Sequence, residues 1–220
     1  MYQLKQKVKM KISYAIPVCN EHVELGKLLS FLTKHIDEND EIIVQCDQGN
    51  TTPEVYKVLD TLKAPVGLKD PLKVIEFPLN GHFSKFKNNL KEHCTGDWIF
   101  QIDADELPHE SLIVNLKALL EVNPTTEMFL VPRVNTVKGL TQEHINKWRW
   151  EVNEKGWVNW PDYQTRIIQN GLKIKWQNKV HEQIIGMSTK GALPMEEEWC
   201  LYHPKTIGKQ ETQNNFYDTL

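Results

Sequence analysis

The chain has 220 residues, 40% of them hydrophobic and 25% charged, with 11 Gly and 11 Pro. That composition excludes a disordered, collagenous or disulfide-stapled chain, and a core of this size buries roughly 70% of the surface the unfolded chain exposes. Lys and Arg number 26 against 29 Asp and Glu, a formal charge of −3, so no basic field is available to hold nucleic acid.

Residues 1–11 are basic but lack the apolar stretch of a signal peptide. No later segment approaches ~18 uninterrupted apolar residues, which predicts a soluble, cytoplasmic protein without a transmembrane span. Residues 11–18 read as a strand, and His22–His35 places Val23, Leu25, Leu28, Leu29 and Leu32 on one helical stripe. Residues 41–46 are a second strand. The helix after it starts at Pro53, where a missing N–H costs nothing, and carries Val55, Val58, Leu59 and Leu62. Lys73–Phe77 is a third strand, residues 83–94 a third helix and residues 97–102 a fourth strand. After Pro108 a helix carries Leu112, Ile113, Leu116, Leu119 and Leu120, and residues 127–134 return as a strand. Strands that alternate with helices imply an α/β fold, a mostly parallel sheet with helices on both faces.

The character changes beyond residue 135. Residues 139–160 hold four of the seven Trp, and short strands follow at Gln164–Gln169, 172–176, 179–185 and 199–203 before a polar C-terminal helix. No Gly- or Ser-rich linker divides the chain. Residues 1–220 are therefore expected to form one domain, with a nucleotide-binding half at about 11–135 and a smaller, mixed acceptor-binding half at about 136–220. Cys19, Cys46, Cys94 and Cys200 form no CxxC pair, which speaks against a zinc cage and fits reduced thiols.

Asp103-Ala104-Asp105-Glu106 follows the fourth strand directly. Residues i and i+2 of an extended chain point the same way, so Asp103 and Asp105 can converge on one hard cation at the carboxyl end of the strand. Open α/β sheets bind ligands there. The alternative is a solvated acidic turn whose carboxylates sit favourably near the N-terminus of the next helix.

Four motifs occur in order: Ile16-Pro17-Val18-Cys19-Asn20-Glu21; Cys46-Asp47-Gln48-Gly49-Asn50; Phe83-Ser84-Lys85-Phe86-Lys87-Asn88-Asn89; and the run from Thr95 through Asp103-Ala104-Asp105-Glu106. Together they resemble the nucleotide-sugar half of family 2 glycosyltransferases, which have the GT-A fold. Val180-His181-Glu182 resembles the Val-His-Glu of a bacterial and phage subgroup. The resemblance implies Pro17, Val18 and Glu21 against the nucleoside and Asp47 at the base edge. It further implies Lys87 and Asn88 near the phosphates, and Asp103, Ala104 and Asp105 flanking the ribose and a Mn2+ or Mg2+ ion. The implied donor is a UDP, GDP or dTDP sugar, and the implied reaction is an inverting single displacement onto a glycan or other hydroxyl acceptor. Gln48-Gly49-Asn50 stands where members often have Asp-Gly-Ser, and Cys19 where an aromatic is common, so base selectivity stays open.

The chemistry points the same way. A nucleoside diphosphate leaving group gains negative charge, which a carboxylate-held divalent ion neutralises and which Lys85 or Lys87 can supplement. The acceptor hydroxyl needs a base. Asp162 is the first candidate, because aromatic neighbours in Trp160-Pro161-Asp162-Tyr163 would raise its pKa by desolvation, and Glu182 is the second. A cap or turn role after Pro161 is the other reading of Asp162. His181 is read as a third metal ligand, a phosphate contact or a structural histidine, with His203 a weaker candidate, and Arg166 pairs with a phosphate or a carboxylate. Trp148, Trp150, Trp157 and Trp160 suit either sugar stacking or packing. Two other functions have the same topology. A non-catalytic nucleotide- or carbohydrate-binding module is one; a sugar-nucleotide pyrophosphorylase, the other, lacks its Gly-rich basic loop here.

Overall fold

The computed structural model describes residues 9–62, 69, 72–171 and 173–217, with 213 and 215–217 described for their backbone alone. In chain order the first half forms β1 (Ile12–Val18), α1 (His22–His35), β2 (Glu41–Asp47), α2 (Pro53–Leu62), β3 (Lys73–Phe77), α3 (Phe83–Glu92) and β4 (Trp98–Gln101). It continues with β5 (Leu107–Pro108), α4 (Glu110–Val122), β6 (Met128–Val131) and β7 (Arg133–Lys138). The second half adds α5 (Gln142–Trp148), β8 (Gln164–Gln169), β9 (Lys175–Gln177), β10 (Gln183–Ile185), β11 (Lys190–Ala192), β12 (Leu201–Thr206) and α6 (Ile207–Tyr217).

The period of two along each strand decides which layer covers which face. Ile12, Tyr14 and Ile16 of β1, Ile42 and Val44 of β2, and Trp98 and Phe100 of β4 pack with leucines of α1 and α4 and with Val55 and Leu59 of α2. The intervening residues Ala15, Ile43 and Ile99 pack on the opposite face with Leu90 of α3 and with Trp176 and Ile184 of the β9–β10 hairpin. Both faces are covered, which is why these strands read as near-continuous apolar runs. Gly96 marks how closely the chain approaches at the start of β4: a Cβ there would stand 2.7 Å from the backbone nitrogen of Ser13, so only glycine fits.

The central sheet has the order β11-β6-β8-β4-β1-β2-β3. The chain runs outward from β1 through β2 to β3 and then crosses back to β4, so the order reverses between β1 and β4. The ladder between them ends at Ala15 and Gln101, with one further bond from the Ile102 N–H to the Ala15 carbonyl at 3.0 Å. Pro17 is tolerated in this interior strand because β4 has already diverged from it. The divergence opens a crevice at a topological switch point.

The structure differs from the sequence reading in the second half. Residues 127–134 are two strands, because Pro132 cannot donate to the ladder. β6 stays in the central sheet against β8, while β7 turns into a three-stranded sheet of order β5-β12-β7. β8, antiparallel to both β4 and β6, sits inside the central sheet, so the later half of the chain completes the frame of the earlier half. The strands expected over 172–176 and 179–185 shorten to β9 and β10, and residue 172 lies outside the described residues. Among the described residues no helix is long and apolar enough to cross a membrane.

Candidate active site

The carboxyl ends of β1, β2 and β4 share one edge because the three strands are parallel. Beyond β1, Glu21 opens α1, and its Oε2 accepts from the backbone N–H groups of Cys19 and Asn20 at 3.0 Å each. Beyond β2, the buried Asp47 accepts from the Leu79 N–H at 2.8 Å and from the Asn50 amide at 3.0 Å. The Thr52 N–H donates to the Cys19 carbonyl at 2.9 Å, which ties the two loops into one rim. Pro17, Val18, Glu21 and Asp47 are therefore brought together beside the crevice.

Asp103 and Asp105 follow β4 on its other side. Glu106, 1% exposed, accepts from the Asp103 N–H at 3.1 Å and so shapes the loop. Arg166 of β8 donates to Glu106 from Nε at 3.0 Å and from Nη2 at 2.7 Å, and Nη2 also reaches Asp103 Oδ2 at 2.5 Å. Arg133 bridges Glu106, at 3.0 Å, to Asp162, which it meets at 2.9 and 2.6 Å. Burial opposes the charge on Arg166, yet Asp103 and Glu106 beside it raise its pKa further above the free guanidinium value. Burial likewise opposes the Asp103 carboxylate, but Arg166 and Lys87 hold its pKa below the usual range. The two guanidiniums offset most of the charge of the three carboxylates at the floor of the crevice, and the Lys87 charge acts on Asp103 as well. No spacing along the chain marks Glu106 or Arg133; the ion network exists only because β7 and β8 are placed beside the Asp103 loop.

Asp105 leads to a second chain of contacts. Its Oδ2 lies 3.5 Å from His203 Nε2 and 3.3 Å from Lys209 Nζ. His203 Nδ1 lies 2.7 Å from Asn135 Oδ1, while the Asn135 amide donates to Asp162 Oδ2 at 2.8 Å. Asp162 is ionised and can only accept, so Asn135 turns its NH2 to it and its oxygen to His203 Nδ1. His203 Nε2 stands toward the Asp105 carboxylate. Burial opposes the charge of that carboxylate, but His203 and Lys209 beside it hold its pKa well below the usual range.

His181 stands in the β9–β10 turn with φ +52°. Among the described residues no three His, Cys, Asp or Glu side chains are grouped as a metal cage, so the set Asp103, Asp105 and His181 is not assembled as one. The histidine beside Asp105 is His203, supplied by β12. Glu182, which follows His181 in the chain, pairs with Lys87, both side chains being nearly buried, and Lys87 Nζ lies 4.5 Å from the centre of the Trp176 ring. Asn88 uses both ends of its amide on the Trp176 backbone at 2.8 Å, which makes it a clamp between α3 and β9. Ala104 is 3% exposed and packs into the core, so its side chain is structural.

A glycosyl transferase family 2 model matches residues 13–186. The chain belongs to glycosyltransferase family 2. An uncharacterized glycosyltransferase of Haemophilus influenzae is 30% identical over 105 residues, 48% of this chain and 38% of that protein. The chain thus spans less than two-fifths of that relative's length. Residues 1–349 of S. aureus TarS superimpose with a TM-score of 0.58 at 16% identity, covering 89% of this chain and 60% of that 1–349 chain. That likeness shows a shared fold, the GT-A arrangement expected from the sequence. TarS 1–349 is also known in complex with UDP-GlcNAc, where the TM-score is 0.46 at 19% identity over 60% of this chain and 36% of that 1–349 chain.

Within this family 2 frame the electrostatics of Asp162 reverse the sequence expectation. Burial does press its pKa upward, but Arg133, Asn135 and Gln164 together hold it below the usual range. Far from the crevice, burial also opposes the charge of Glu41, while Ser13, Thr95 and Lys11 hold its pKa down. A group whose pKa is lower folded than unfolded contributes stability above its unfolded value and loses it as pH falls through the folded one. Asp40, raised by burial, works in the opposite sense. The unfolding midpoint is therefore expected to hold between pH 7 and 5 and to drop steeply below the carboxylate values of 3.8 and 4.5. Calorimetric scans at pH 7, 5 and 3 check this; an unchanged midpoint at pH 3 would contradict the ionised network.

Proposed function

We propose that this protein transfers a sugar from a nucleoside diphosphate donor to a hydroxyl acceptor, with a divalent cation and with inversion at the anomeric carbon. The observation that carries the reading is Asp105 Oδ2 standing 3.5 Å from His203 Nε2 at the β1–β4 switch point of a family 2 fold. One carboxylate and one imidazole nitrogen fit a Mn2+ or Mg2+ ion whose other ligands are diphosphate oxygens and water. The position already accommodates positive charge, since Lys209 meets the same carboxylate oxygen. When bound, the ion neutralises the charge that develops on the leaving diphosphate.

The remaining roles are part of the same proposal and rest on the family resemblance. The rim of Pro17, Val18, Glu21 and Asp47 receives the nucleoside, with Asp47 toward the base edge. Asp103, steadied by Arg166, is assigned to the ribose side. Lys87 serves the diphosphate as a point charge, and Glu182 positions it. Asp162 is the proposed base. Its Oδ2 is taken by Arg133 and Asn135, whereas Oδ1 has a single neutral donor in Gln164 at 2.7 Å, which leaves a lone pair for the acceptor hydroxyl. A weak base suffices in a single displacement, because the hydroxyl becomes strongly acidic once its bond to the anomeric carbon begins to form.

A thermal-shift panel of UDP, GDP, dTDP and CDP sugars with and without Mn2+, including UDP-GlcNAc, tests the donor site. A nucleotide at 100 times its Kd stabilises by about 2.7 kcal/mol, or about 5–10 °C at this chain length. A Mn2+-dependent shift with one nucleotide, followed by transfer of labelled sugar, is the expected result. Binding without any product would make the protein a binding module, and no shift at all would remove the donor assignment.

A further inference from the structure

A groove of ≈ 730 Å3 opens between residues 152–160 and 195–198. Its corner is made by Trp157 and Trp160, whose ring centres are 4.8 Å apart at 63°. Val152 and Met195, 37% and 59% exposed, extend the apolar lining. Glu154, Glu196, Glu197 and Glu198 line it against a single cation, Lys155. Lys155 Nζ lies 4.4 Å from the Trp157 ring centre and 2.9 Å from Glu197, while its side chain remains 61% exposed. The groove is built onto the crevice. Val158, between the two tryptophans, donates its N–H to the Asn135 carbonyl at 2.9 Å, and the Asn135 side chain touches both His203 and Asp162.

We propose that this groove is the subsite for the acceptor and that it takes an uncharged pyranose chain. This rests on the glycosyl-transfer reading and names the acceptor class that reading leaves open. A pyranose presents an apolar C–H face and a ring of hydroxyl donors at its edge. Two angled indoles meet the first, and ionised glutamates, which only accept, meet the second. Four glutamates lie along the lining, Glu197 held by Lys155 and Tyr202, so a phosphorylated or uronic glycan would bring like charge against them. Lys155, solvated and tethered to one glutamate, covers part of Trp157 without filling the groove.

The test is calorimetric titration of the whole chain with maltotetraose, cellotetraose and chitotetraose as neutral probes and tetragalacturonate as the anionic one. At least one neutral tetrasaccharide is expected to bind, and Trp157→Ala should weaken it about tenfold or more while leaving the nucleotide thermal shift intact. In the double variant Glu196→Gln/Glu198→Gln, which touches only surface side chains, tetragalacturonate should gain affinity relative to the unaltered protein. An intact nucleotide shift with no neutral glycan bound would overturn the proposal and leave the donor reading standing. Glycan binding that Trp157→Ala leaves unchanged, or preference for tetragalacturonate in the unaltered protein, would overturn it equally. Loss of the nucleotide shift itself would instead strike the donor reading.

Discussion

Asp105→Asn is expected to abolish Mn2+-dependent donor binding and to lower sugar transfer by about 10²–10³-fold, the equivalent of several kcal/mol of charge stabilisation, while the chain stays folded. Asparagine keeps the shape of the side chain but removes the negative charge that meets Lys209 and faces His203. The surrounding network then separates a ligand from a merely nearby charge. His203→Ala should also reduce Mn2+ affinity, measured by electron paramagnetic resonance in the absence of any nucleotide, and His181→Ala should not. Asn135→Leu leaves His203 in place but releases its Nδ1, which is bonded to Asn135 at 2.7 Å; a loss of about 10–100-fold in Mn2+ affinity is expected from losing such an orienting partner. Unchanged Mn2+ affinity in Asp105→Asn would remove the metal assignment.

Arg166→Met should be the most destabilising single change in the crevice. The guanidinium is 4% exposed and is held by Asp103 and by Glu106, itself 1% exposed. Removing it leaves buried carboxylate charge with only Arg133 to answer it, at a cost of about 3–5 kcal/mol. For a chain of this length that is about 10 °C in the unfolding midpoint. A compensating second change identifies the cause. Arg166→Met combined with Glu106→Leu removes both charges and should recover part of the loss. A fall of only one or two degrees in the single variant would mean that water reaches Glu106 and that the network is not sealed.

How far the chain announces this arrangement differs between its halves. The first half was legible because each strand and helix there has a local cause: the leucine stripe of α1, Pro53 at the start of α2, and the apolar runs of β1, β2 and β4. Asp103 and Asp105 were legible as an acidic pair at the end of β4, but the extended alternation expected of them gives way to a turn, closed by the Glu106 N–H on the Asp103 carbonyl at 2.9 Å, which sends Asp103 to Arg166 and Asp105 to His203 and Lys209. The second half is different. β8 is six residues long, four of them polar (Gln164, Thr165, Arg166 and Gln169), and no local signal says that it enters the sheet between β4 and β6. β5 and β11 are two and three residues long, too short to carry a period.

The sequence by itself determined the α/β frame, the position of the acidic pair at the end of β4 and the family to which the chain belongs. These rest on periodicity and on contiguous motifs. Only the tertiary structure decided that His203 and not His181 stands beside Asp105, that Asp162 is held ionised by Arg133, and that Glu106 and Arg166 close the floor. The reason is distance along the chain: Asp105 and His203 are joined by the return of β12 beside β5 and β7, and the other ring nitrogen of His203 meets Asn135, a residue with no motif of its own. A histidine becomes a ligand through what its second ring nitrogen touches, and that contact is made by folding.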